Sequence, residues 1–228
     1  MFQSHRYCET FSALVREYWS ELKAFTTTDR FEPNGVIFSV GDPPDAMHLI
    51  ESGRVKVSQL SGEGEEKIIG IYEKGDVIGE VCLCKRGPRE NQAVALEPAT
   101  VASFRVNELL RLVQSKPEMV FNLLMIFCAR VVECQEQVAS LAFDEVRERL
   151  VKEMLRLSDL RVGESKRGPV QLPVRLTHQE LASLVNTTRD NVTRIMNEFR
   201  KNGLVDYGRE GILIFPERLE NYLRKPHA

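Results

Sequence analysis

No apolar run in this 228-residue chain is long enough to cross a bilayer. The first ten residues, Met1 to Thr10, lack the basic-then-apolar pattern of a secretory signal. A cytoplasmic location is the expectation. The five cysteines then read as reduced thiols, not as a disulfide framework. Catalytic signatures are missing as well. There is no nucleophile–base motif, no phosphate-cradling Gly-x-x-x-x-Gly-Lys and no metal-spaced histidine pair. The chain therefore reads as a non-enzyme without a metal site. It also lacks an overall basic charge, since the net charge is −2. The charge is unevenly spread, however. Residues 144–228 carry +3 and residues 1–143 carry −5. A locally basic region is enough to grip phosphates.

Glycine placement maps the chain. Nine of the 14 glycines fall between Gly35 and Gly87, and none between Pro88 and Val162. The glycine-rich part holds β-branched or alternating runs at Val36–Val40, His48–Glu51, Arg54–Leu60 and Lys67–Tyr72. Turn clusters separate them. This predicts an antiparallel, jelly-roll-like β-domain over about residues 20–106.

The glycine-free part reads as helix. Asn107 and Glu108 open a short helix that stops before Pro117. A long helix then runs from Glu118 to Phe143. Val120, Leu124, Phe127, Val131, Cys134, Val138 and Leu141 recur at alternating steps of four and three. That is a heptad seam, and it predicts a parallel homodimer. A second apolar stripe lies beside it, made of Phe121, Met125, Cys128, Val132, Ala139 and Ala142. One stripe is expected to pack on the β-domain and the other on a partner helix. Asp144 to Leu160 continues as a charged amphipathic helix, and residues 161–173 read as a loop or hairpin. The expected division is a β-domain at 1–106, a dimerisation region at 107–143 and a further domain at 144–228.

The segment Leu176–Lys201 carries the most information. Thr177 and Glu180 form a capping box that starts one helix. Leu181, Ala182 and Val185 form its inner face, with Ala182 small enough for a close crossing. Asn186 sits where a turn calls for positive φ. Thr187 or Thr188 caps a second helix. Val192, Ile195 and Phe199 face inward there, leaving Arg189, Asp190, Thr193, Arg194 and Asn197 outward. This is the layout of a helix-turn-helix. Arg189 and Arg194 can each fork onto guanine O6 and N7, and Asp190 can accept from a cytosine amino group. His178, Gln179, Thr188 and Asn191 are placed to touch phosphates. Asn202-Gly203 ends the second helix, and Leu204–Phe215 reads as a hairpin wing.

Several runs together are highly specific: Gly35–Asp42, Met47–Val57, Gly75–Glu80, Leu141–Phe143 and Thr188–Ile195. Over nearly its whole length the chain resembles the cyclic AMP receptor / fumarate-nitrate regulator (CRP/FNR) family of bacterial transcription regulators. The resemblance implies a double-stranded β-roll effector domain, a long dimer helix and a winged helix-turn-helix, an α+β architecture. It also implies a homodimer on palindromic double-stranded DNA, with RNA polymerase as a further partner. The family's recognition triplet Arg-Glu-x-x-x-Arg corresponds to Arg189, Asp190 and Arg194, with Asp190 one methylene shorter than the family's Glu.

The resemblance places an effector pocket at Gly79, Glu80, Val81, Cys82, Asn91, Gln92, Cys134 and Gln135. Cyclic-AMP-binding members follow Gly-Glu with Arg-Ser/Thr-Ala, but the aligned segment here reads Asn91-Gln92-Ala93. Arg86 and Arg89 lie upstream, in a loop. The Thr-Ser pair that such members carry on the long helix is Cys134-Gln135 here. A phosphate buried without a cation is costly, which argues against cyclic AMP. Cys8 alone lies near the N-terminus, so the spacing for a four-thiolate iron–sulfur centre is missing. Haem remains open, with His5 and His48 as candidate ligands. A thiol switch at Cys82, Cys84 or Cys134 also remains open; alternation along a strand would point Cys82 and Cys84 to one face. An organic effector, or none, completes the alternatives.

Overall fold

The β-branched runs between glycine turns form strands. The computed structural model describes residues 23–84, 87–159, 168–209 and 211–224. By its internal contacts the chain divides into two units, Met1–Glu136 and Gln137–Ala228. Among the described residues the first unit holds β1 (Thr26–Phe31), β2 (Val36–Phe38), β3 (Ala46–Ser52), β4 (Arg54–Leu60), β5 (Glu66–Glu73), β6 (Val77–Ile78), β7 (Asn91–Ala95) and β8 (Ala99–Arg105). They build two antiparallel four-stranded sheets, ordered β1-β8-β3-β6 and β2-β7-β4-β5. Gly53 turns β3 into β4 at φ 79°; a Cβ there would stand 2.4 Å from the Pro98 carbonyl, so only glycine fits.

Two apolar clusters hold this unit. Phe38, Val55, Val57, Ala93 and Ala95 from one sheet meet Ile50, Ile78, Ala99 and Val101 from the other. On the far face of β3 and β8, Met47, Leu49 and Phe104 pack with Leu109, Met119 and Leu123. Leu109 lies on α1 (Val106–Ser115), and Met119 and Leu123 on α2 (Glu118–Phe143). With both its faces covered, β3 is buried over four consecutive residues, Met47 to Ile50.

The long helix has the expected bounds, but its packing differs from the expected choice between two stripes. The residues on the roll are Met119 and Leu123, members of neither. The seam stays uncovered in the single chain. Val120, Leu124, Val131, Val138 and Leu141 are between 47% and 66% exposed, and Phe121 and Val132 beside them are exposed too.

The second unit contains α3 (Val146–Asp159), β9 (Val170–Gln171), α4 (His178–Val185), α5 (Arg189–Lys201), β10 (Val205–Gly208), β11 (Gly211–Ile214) and α6 (Pro216–Arg224). β10, β11 and β9 form a small antiparallel sheet, the expected wing with one added strand. Its core joins Leu150, Val151, Met154 and Leu157 of α3 to Leu181 and Val185 of α4 and to Val192, Ile195, Met196 and Phe199 of α5. Among the described residues no helix is long and apolar enough to cross a membrane.

Candidate nucleic-acid interface and effector site

Each end of the helix-turn-helix has a local cause. The Thr177 side chain accepts from the Glu180 amide, and Glu180 accepts from the Thr177 amide across 2.9 Å, completing the capping box. Asn186 ends α4 in the left-handed region, at φ 55° and ψ 64°. Thr188 caps α5, with its hydroxyl accepting from the Asn191 amide. Arg189, Asp190, Arg194 and Asn197 are exposed on α5, while Val192, Ile195, Met196 and Phe199 are buried. Arg194 donates to Asn191 Oδ1 across 2.8 Å, so one end of its fork is steadied beside the helix.

His178 is expected on phosphates, but its ring nitrogens are engaged with the second helix of the motif and with the wing. Nδ1 lies 2.9 Å from Thr193 Oγ1, and Nε2 lies 2.8 Å from the Tyr207 hydroxyl. Gln179 is exposed at the start of α4. Arg149 on α3 donates from Nε to the Val185 carbonyl (2.9 Å) and from NH1 to the Asp144 carbonyl (2.8 Å). It thus fastens the turn of the motif to the residue following α2. Lys152 and Ser140 donate to the Asp144 carboxylate. Partial burial opposes ionisation of Asp144, but these hydrogen bonds prevail and lower its pKa.

In the roll, Gly79 takes φ 75° and turns the chain out of β6 into a 3₁₀ turn, Glu80–Leu83. The expected strand through Cys82 and Cys84 is therefore absent. In a 3₁₀ turn positions two apart diverge, and the thiols are not presented as a pair. Cys82 packs against the Met47 cluster, and Cys84 is exposed. Burial pushes the Cys82 thiol up to about 11 despite the nearby Arg89, so it is a neutral thiol and a weak nucleophile at neutral pH.

Two arginines supply what the sequence reading missed. Arg130 of α2 donates from Nε to Glu80 (3.0 Å), from NH1 to Glu133 (2.7 Å) and from NH2 to the Val77 carbonyl (2.6 Å). Its guanidinium lies 4.4 Å over the Tyr72 ring. Burial works against the Arg130 charge, but Tyr72, Glu80 and Glu133 outweigh it and raise its pKa. Arg89 reaches back from the loop before β7. A Cβ on Gly79 would stand 2.8 Å from its NH1, its NH2 donates to the Ala46 carbonyl across 2.6 Å, and it lies 4.2 Å over the Phe38 ring. A cation thus stands beside Gly79-Glu80 although Asn91-Gln92-Ala93 has none. A side chain that reaches back to the turn is invisible to an alignment by residue count.

Both ring nitrogens of His48, a candidate haem ligand, have partners within the roll. Its Nδ1 lies 2.9 Å from Ser103 Oγ, Nε2 faces Arg89 NH2 at 3.4 Å, and its ring stacks on Phe38. Since guanidinium can only donate, Nε2 accepts and Nδ1 carries the proton. Burial, with the Arg89 charge adding, pushes the His48 pKa down to about 4. His5, Cys8 and Arg86 lie outside the described residues.

Residues 28–116 match the family description of the cyclic nucleotide-binding domain, and residues 148–222 that of the Crp-like helix-turn-helix domain. The cyclic AMP receptor protein of Thermus thermophilus is 31% identical over 180 residues, covering 78% of this chain and 80% of that protein. The chain belongs to the CRP/FNR family of transcription regulators. A CRP-like cAMP-activated global transcriptional regulator of Mycobacterium tuberculosis is 28% identical over 183 residues, covering 80% of this chain and 81% of that protein. The structure of the c-di-GMP responsive global regulator CLP of Xanthomonas campestris shares the fold, with TM-score 0.76 at 21% identity over 88% of this chain and 99% of that one.

Within this CRP/FNR chain the expected site residues fall into two sets. Gly79, Glu80 and Cys82 gather at the roll's turn with Arg89 and Arg130. Gln92 instead donates to Ser58 Oγ and Glu66 Oε1. Val81 is exposed, Asn91 is half-buried, and Cys134 and Gln135 are exposed on α2. Arg130 had one sequence signal, a charge at a helix position facing a core, seven residues after Leu123, whereas Arg89 was visible only as a loop charge.

Proposed function

We propose that this regulator is a homodimer that reads a palindromic duplex with its two α5 helices entering successive major grooves about 34 Å apart. RNA polymerase is its protein partner, and the cytoplasm its place of action. The observation that carries the reading is α5 itself, a capped helix buried along one face and exposing Arg189, Asp190 and Arg194 along the other. The exposed seam from Val120 to Leu141 supports the homodimer, since an apolar stripe of that length is normally covered. In this reading Arg189 and Arg194 take guanines, Asp190 takes a cytosine amino group and Gln179 takes a phosphate. Thr188 and Asn191 act indirectly, by capping α5 and steadying Arg194.

The effector is a small anion held at Arg89 beside Gly79 and Glu80. With Arg89 there, the charge argument against a cyclic phosphate loses its premise, and the relatives named for cyclic AMP make that nucleotide the first ligand to test. The test is selection of bound duplexes from a random pool, with and without cyclic AMP and with and without reductant. A palindrome enriched only with the nucleotide is the expected result. Enrichment gated by reductant alone would move the sensing function to the thiols. Arg194→Ala should then relax preference at one base pair of each half-site and lower affinity by about ten-fold or more. A variant with unchanged preference overturns that role.

A further inference from the structure

The recognition helix, the first helix of the motif and the wing are joined by one line of side-chain hydrogen bonds. Thr193 Oγ1 donates to the Arg189 carbonyl across 2.9 Å, a bond that can run only from hydroxyl to carbonyl. That oxygen must therefore accept at its second contact, so His178 Nδ1 carries the proton and donates to it across 2.9 Å. Nε2 is then an acceptor, and the Tyr207 hydroxyl donates to it across 2.8 Å. The direction of every bond follows, from the wing through α4 to α5. The His178 and Tyr207 rings lie 6.1 Å apart, and Arg200 stands 5.6 Å over Tyr207.

The electrostatics agree with that assignment. Burial, and then the Arg189 charge, lowers the His178 pKa and keeps the imidazole neutral. Burial raises the Tyr207 pKa against the pull of Arg200 and keeps its hydroxyl protonated.

Thr193 is half-buried on α5, one turn after the exposed Arg189 and next to the exposed Arg194. Its hydroxyl donates to one partner and accepts from another within the protein. We propose that His178 is a positioning residue for base recognition: the Arg189 carbonyl takes the one proton of the Thr193 hydroxyl and His178 fills one of its two lone pairs, holding the oxygen toward the protein, so that Thr193 offers the major groove its methyl group and reads a thymine. Hydroxyls bond to any base edge with a donor or acceptor, whereas a methyl group discriminates for the thymine C5-methyl. His178 thereby converts a permissive side chain into a selective one, and Tyr207 ties that choice to the wing. The inference rests on the DNA-reading function proposed above.

The test uses the full-length dimer and a duplex selected from the random pool, with each thymine of the half-site replaced in turn by deoxyuridine. That exchange deletes one methyl and leaves base pairing intact. At one position per half-site the wild-type protein should lose about four-fold in affinity, the value of one methyl removed from water. Thr193→Val, which keeps the methyl and deletes the hydroxyl, should retain that penalty. Thr193→Ser should bind the thymine duplex more weakly and show no penalty. His178→Ala removes one of the two partners that hold the hydroxyl and leaves the Arg189 carbonyl as the other; its penalty should shrink below two-fold while the slope of affinity against salt stays as in wild type. Thermal unfolding confirms that each variant is folded, and the Val and Ser pair tests the claim without touching His178. A wild-type protein indifferent to uracil at every position overturns the inference while leaving DNA binding intact, as does a Thr193→Val variant that loses the penalty. If no duplex is retained at all, the parent reading falls and this one with it.

Discussion

Arg130 Nε donates to Glu80 Oε1 across 3.0 Å, joining the turn at the roll's site to the long helix. Both side chains are mostly buried, so removing one strands the other. Arg130→Met should destabilise the protein by about 3 kcal/mol, the typical loss when a buried pair is broken from one side. The double variant Arg130→Met with Glu80→Leu should recover part of it, because the buried Glu80 charge is gone while Glu133 and the Val77 carbonyl still lose the guanidinium. Urea unfolding measures both. A double variant as unstable as the single one would show that the charge pair is not the cause.

His48 makes stability depend on pH. Its folded pKa is about 4, against an ordinary 6.5, from burial first and Arg89 second. Between those values the unfolded chain binds the extra proton, so stability rises with pH. The His48 contribution is fully present above pH 6.5 and is lost as pH falls toward 4, amounting to about 2–3 kcal/mol at the acid end. His48→Gln should flatten the profile in that window. Unfolding free energies at pH 6.5 and 4.5, wild type against variant, check it; parallel profiles would refute the assignment.

Arg149 holds the Val185 and Asp144 carbonyls with two arms of one guanidinium. Lysine keeps the charge but cannot span both. Arg149→Lys should destabilise the helix-turn-helix unit by about 1–3 kcal/mol, the range for hydrogen bonds to a charged donor. Amide exchange at Asn186–Thr188 should quicken in step. If exchange speeds up elsewhere in the unit but not at this turn, the fastening has been misassigned.

Val131 lies at the middle of the exposed seam, 55% accessible in the single chain. In the proposed parallel dimer, Val131→Glu sets a carboxylate against its own image. An unpaired buried charge costs about 3 kcal/mol, so the dimer dissociation constant should rise by two orders of magnitude or more. Roll stability should hardly change. Sedimentation equilibrium reads the first effect and thermal unfolding the second. A variant that stays dimeric moves the interface off this seam.

Features carried by neighbouring residues were legible in advance. Period-2 runs became β2 to β5, the capping box became the start of α4, and the positive φ expected of Asn186 is found at 55°. The long helix was legible over its full length, because Pro117 bounds its start and the heptad spacing runs unbroken to Leu141. The packing stripe was not, since Met119 and Leu123 look no more apolar than the seam beside them. The roles of His178 and His48 were also hidden. Each nitrogen finds its partner through strand register or helix crossing, as His48 meets Ser103 across β3 and β8.

The sequence by itself determined most of the elements, their order, the family and the face of α5 that stays exposed. Those depend on spacings of two to seven residues, which local backbone geometry converts directly into faces and caps. Only the tertiary structure decided which charges meet. Arg130 reaches Glu80 across 50 positions, Arg89 reaches Ala46 across 43, and His178 reaches Tyr207 across 29. Such contacts depend on where left-handed turns such as Gly79 redirect the chain and on the register of strands brought together from afar, and no local pattern records either.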